Sequence, residues 1–218
     1  GGGGSGGVVG AFACWIGGGV LHAPRGLNAR PGAGGPEPGD TNGRQDGCVR
    51  DRVTGVTNRV SLATGGAQAR SHSGLPAISA DGRYVAFSSD ASNLVSADTN
   101  RGRDVFVHDR ITGATTRVSV AIGGTQASAV SNEPAISADG RYVAFESGAR
   151  NLVAVDATGL YYVFVRDRVS GVTNLGRLAT GSTQDQGQRF ATEISEHGRY
   201  VSVVTSPLEV TTRHNSVG

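Results

Sequence analysis

The chain has 218 residues, 37% of them hydrophobic and 6% aromatic, with 20 basic and 18 acidic side chains and a formal charge of +2. That length buries a sizeable core, and the near-neutral balance argues against a polyelectrolyte partner such as nucleic acid. No apolar run approaches the ~20 residues of a membrane-spanning helix.

Every basic residue is Arg, and Met is absent, so the chain reads as a fragment or a processed product. Residues 1–39 are rich in Gly, Pro and Ala and are expected to be irregular or disordered. Within them, 8–16 (VVGAFACWI) is an apolar run of the kind a remnant signal-peptide core would leave. It has neither a basic leader nor a small-x-small cleavage site. Cys14 and Cys48 stand in unlike contexts. Cys48 holds the place taken by Phe106 and Phe164 in later copies, which predicts a buried small apolar side chain rather than a disulfide or metal ligand.

From Asp40 a repeat takes over. Arg52, Arg110 and Arg168 are 58 residues apart, as are Gln68, Gln126 and Gln184, Ser79, Ser137 and Ser195, and Gly82, Gly140 and Gly198. A fixed period of this size marks a repeat architecture in which each unit buries its faces against its neighbours. The unit 76–120 holds a short apolar run, an Asp81-Gly82 turn and RYVAFSS. A long polar loop, DVFVHDR, a Thr112-Gly113 turn and TTRVSV complete it. That pattern predicts four strands in an antiparallel meander.

In RYVAFSS, Val85 and Phe87 oppose Tyr84 and Ala86, and in DVFVHD, Val105 and Val107 oppose Phe106. Neither face is plainly polar, so the sheet is expected to be covered on both sides. Propeller blades meet that requirement, and a β-solenoid has shorter coils. The expected fold is therefore all-β: a β-propeller, as a partial or open arc of about three four-stranded blades. Partial blade 40–65, blades 76–120 and 134–178, and partial blade 193–218 make up the arc. A closed ring takes ~4–8 blades, so further blades or self-association are expected partners.

PAISADGRYVAFSS (76–89) and PAISADGRYVAFES (134–147) resemble the signature of the TolB-like propeller repeat, the WD-like repeat with a Pro-Asp signature. The resemblance covers about 160 residues, from Asp40 to near Val201. It implies a bacterial, exported (secreted or periplasmic) scaffold that binds protein or glycan, and it names no catalytic residue.

Six residues are candidate metal ligands. Asp98, Asn100 and Asp104 stand at the first, third and seventh places of one loop, and Asp40, Asn42 and Asp46 repeat them. Oxygen ligands so placed resemble part of a calcium loop, though the distal bidentate Glu is missing. The competing expectation is that these side chains cap turns through the local backbone. Calcium is the one cofactor the sequence admits.

Ser79 and Asp81 sit as in the Asp-box of sialidase propellers, where a structural hairpin role is expected. The Asp-Arg pairs at 51/52, 109/110 and 167/168 are expected to end strands and bridge locally or to the next blade. His108 aligns with Arg50 and Arg166 and is expected at the surface. The five histidines do not cluster at ligand spacing, and no nucleophile elbow, HExxH or P-loop occurs. The sequence thus favours a non-catalytic binding or scaffold module. The alternative is the propeller domain of a larger enzyme, a prolyl-oligopeptidase-type hydrolase or a polysaccharide-active enzyme.

Overall fold

The computed structural model describes residues 9–14, 39–154, 161–176 and 189–205. These residues form strands and turns, with no helix among them. The strands lie in four antiparallel sheets.

The first sheet has the order β1 (Val9–Cys14), β2 (Asp46–Asp51), β3 (Thr57–Arg59). The second is a four-stranded meander of β4 (Ser73–Ile78), β5 (Tyr84–Ser89), β6 (Asp104–Asp109) and β7 (Thr115–Arg117). The third repeats it with β8 (Ser131–Ile136), β9 (Tyr142–Ser147), β10 (Tyr162–Asp167) and β11 (Val172–Leu175). In the last, β12 (Arg189–Ile194) pairs with β13 (Val201–Thr205). This is the expected partial β-propeller, and the described sheets do not close a ring.

Each full blade is apolar on both faces because both faces are covered. Val85 on β5 and Ile78 on β4 pack backward onto Val49 and Val60 of the first sheet. Ala86, Val105 and Val107 pack forward with Ile136, Val143, Phe145 and Phe164 of the third. Within blades, Phe87 stacks on Phe106 at 5.8 Å and Phe145 on Phe164 at 5.9 Å. Burying each such ring contributes roughly 2–3 kcal/mol, which is why these positions stay large and apolar.

Two features of the strands lie outside the sequence reading. β1 falls inside the segment expected to be irregular; the rest of 1–38 lies outside the described residues. Its register, Val9 opposite Asp51 and Cys14 opposite Asp46, places VGAFAC where YVAFSS stands in the second blade. The copy left the 58-residue register because its connection to β2 runs 15–45, against 90–103 one blade on. The first strands of the two full blades, β4 and β8, also start earlier than the Pro residues. Both β4 and β8 carry a bulge, between Gly74 and Ala77 and between Asn132 and Ala135. There Leu75 (φ 52°) and Glu133 (φ 49°) take left-handed backbone. Pro76 and Pro134 have no N–H to give a ladder, so a bulge is where a strand can hold them.

Two expectations are corrected. Cys48 is fully buried, as expected, but it is disulfide-bonded; the chain's one other cysteine is Cys14, at the end of the strand paired with β2. His108 is 6% exposed rather than on the surface. Its place on β6 faces the preceding blade, and its Nδ1 shares a 2.8 Å hydrogen bond with Thr115 Oγ1.

Candidate functional site

The long connections, 90–103 and 62–72, gather on one side of the blades, and the tight hairpin turns on the other. The six residues expected to bind metal lie on the long-connection side, in two groups, each closing on an arginine from the last strand of its sheet. Arg117 on β7 reaches Asp98 at 3.2 Å and Asp104 at 3.1 Å. Asp104 accepts further bonds from Ser119 Oγ at 2.6 Å and Asn100 Nδ2 at 3.0 Å. In the first sheet Arg59 repeats this, 3.1 Å from Asp46 and 3.6 Å from Asp40, and Ser61 Oγ donates to Asp46 at 2.6 Å.

The local-cap expectation is met beside these contacts. Asp40 accepts from the backbone of Asn42 and Gly43, Asn42 from Arg44, and Asn100 from Gly102. Asn42 and Asn100 each also donate to the incoming linker, at Ala69 O and Ala127 O. Burial, then the charge of Asp104, push the Asp98 carboxyl above its ordinary range against the pull of Arg117. Burial likewise pushes Asp46 up. Among the described residues no group of three or more His, Cys, Asp or Glu side chains is arranged to hold a metal ion. The guanidinium supplies the positive charge within each group.

On the opposite side, Ser79 Oγ donates to Asp81 at 2.5 Å and accepts from Tyr84 N at 2.9 Å. Asp81 also accepts from Arg83 N at 3.0 Å, so both side chains organise the hairpin as expected. The Asp-Arg pairs behave differently from their adjacency. Asp109 is gripped by Arg83, through Nε at 3.1 Å and Nη2 at 2.7 Å. Asp167 is gripped by Arg141 at 3.0 and 2.7 Å. These bonds hold both carboxyls well below the usual carboxylate range. Arg110 and Arg168 instead donate to the turn carbonyls of Gly82 and Gly140 in their own blades. Arg168 also lies over the Tyr84 ring of the preceding blade, 4.4 Å from its centroid. The second-strand partner of each Asp was the part that sequence adjacency hid. The antiparallel register, Tyr84 opposite Asp109, was the signal that could have found it.

No protein-family model matches the chain, and no curated protein matches it in sequence. Among solved structures it is similar to TolB from Acinetobacter baumannii, at 19% identity and a TM-score of 0.48, over 76% of this chain and 33% of that one. It is also similar to a putative TolB from Agrobacterium tumefaciens, at 18% identity and 0.45, over 75% of this chain and 51% of that one. A third similarity is to the tricorn protease, at 12% identity and 0.46, over 74% of this chain and 13% of that one. The chain thus spans about a third, a half and an eighth of the proteins it matches. The propeller assignment stands on the chain's own stacked sheets.

Proposed function

We propose that the chain is a non-catalytic binding scaffold of the TolB-like propeller type, working outside the cytoplasm on a protein or glycan ligand. The observation that carries this reading is where the repeated polar residues go. Asp46, Asp104, Asp109, Asp167, Ser79 and Ser137 each close a turn or clasp within the fold. A catalytic site needs polar groups left over from such duties and gathered in one cleft. The disulfide at Cys48 supports an oxidising compartment, because cytosolic thiols are kept reduced.

The test offers the protein a panel of peptide, ester and glycoside substrates beside immobilised bacterial envelope proteins and glycans. Saturable binding to one of these without turnover is the expected result. Turnover of any substrate, lost on mutating one named side chain, would overturn the reading in favour of an enzyme.

A further inference from the structure

A cavity of ≈ 450 Å³ opens where the first sheet meets the second. One wall is the turn after β3, with Ala63 and Thr64; the other is the loop after β5, with Asn93, Leu94, Val95 and Ser96. Leu94 is buried, and Val95 packs on the Phe87 and Phe106 cluster, so the floor is apolar. Asn93 is already committed, donating to Gln68 O and accepting from Arg70 N. Thr64 Oγ1 donates to Thr115 O at 3.4 Å and accepts from Thr115 N at 3.0 Å, which leaves it one lone pair to offer. Ser96 makes no hydrogen bond among the described residues.

The repeat supplies its own control. One unit on, the same turn and loop hold Ala121, Ile122, Asn151, Leu152, Val153 and Ala154. The two junctions therefore differ in these walls at two places: Thr64 becomes Ile122 and Ser96 becomes Ala154. Both changes remove a hydroxyl, and Ile122 stands 64% exposed. The Ser96 hydroxyl has no part in scaffolding among the described residues, whereas the Thr64 hydroxyl also ties its turn to Thr115 of the next blade. Among the described residues no charged side chain lines the cavity.

We propose that this groove is a binding site for a small neutral polyhydroxy compound, a polyol or monosaccharide. Hydroxyl-to-hydroxyl bonds to Thr64 and Ser96 would orient it over the aliphatic floor. The absence of charge in the lining favours neutral ligands, since an ionic one would lose hydration without gaining a partner. Having no aromatic platform, the groove binds weakly: a ligand of ~12 heavy atoms held this way falls in the millimolar range. The inference goes beyond the scaffold reading, which survives if the groove proves empty.

The test is an amide chemical-shift titration of the whole chain with glucose, galactose and xylitol, with gluconate and glucosamine as charged controls. Saturable shifts at 63–64 and 93–96 with a neutral probe are expected. Thr64→Ile combined with Ser96→Ala should weaken them about tenfold or more, with a modestly lower melting temperature because the bonds from Thr64 to Thr115 are lost. Ser96→Ala alone, at an exposed site, gives the same direction if the double variant misfolds. No saturable shift with any neutral probe, equal shifts in the variant, or tighter binding of a charged control would overturn the proposal.

Discussion

The ring of Tyr84 packs against the turn of the next blade at Gly140, so closely that a β-carbon there would overlap the ring. Gly140 also has φ +71°, and Tyr142 meets Gly198 in the same way one blade on. The Asp-Gly turn is thus a hairpin and an inter-blade socket at once. Gly140→Ala should cost about 1 kcal/mol for left-handed backbone and about 1–3 more for the clash. In a Tyr84→Ala background only the backbone cost remains. Urea melts of the four proteins measure the difference; additive losses would mean the ring is not what the turn accommodates.

Acid should loosen the blades at Asp109 and Asp167. Their folded carboxyls lie below the ordinary 3.8, so the ionised form favours the fold. That stability is complete above about pH 4 and is lost as pH falls toward the folded values. Asp109→Asn should flatten this part of the curve of melting temperature against pH. A variant curve parallel to the wild type down to the acid limit would contradict the Arg83 clasp.

Arg117 stands among carboxylates where a calcium ion would otherwise supply charge. Wild-type melts in calcium and in chelator should therefore coincide. Arg117→Ala strands the buried Asp98 and Asp104 and should cost about 3 kcal/mol, and added calcium should then recover part of the loss. A wild type that melts several degrees higher in calcium would show that the loops take the metal beside the arginine.

His108 tests a break in the repeat. Burial pushes its pKa below 6.5, so the folded imidazole stays neutral while the unfolded one takes a proton. Stability should therefore fall as pH drops from about 6.5 toward the depressed folded value. His108→Arg restores the residue found at Arg50 and Arg166; Arg166 bonds Thr173 and Ala121 O. The variant should fold within about 1 kcal/mol of wild type and lose that part of the pH dependence.

The blades were legible because short apolar runs, Asp-Gly turns and a constant interval all point to one arrangement. What escaped depended on chain that is distant in sequence. β1 carries the Ala-Phe pair of YVAFSS as Ala11-Phe12, but a longer connection moved it out of the interval. The bulges at Leu75 and Glu133 leave no mark beyond the following Pro. In the candidate site, the acidic loops were visible, yet the cation they face comes from a strand farther along the chain. Asp109 was read with its neighbour Arg110, whereas antiparallel pairing hands it to Arg83. The groove at Thr64 and Ser96 was invisible for a related reason: its two walls meet only when blades stack.

The stacking itself is tested most directly by nuclear Overhauser contacts between the Tyr84 ring protons and the α-protons of Gly140, and between Tyr142 and Gly198. Strong cross-peaks for both pairs are predicted. A folded, well-dispersed spectrum in which both are missing would contradict the stacked-blade arrangement.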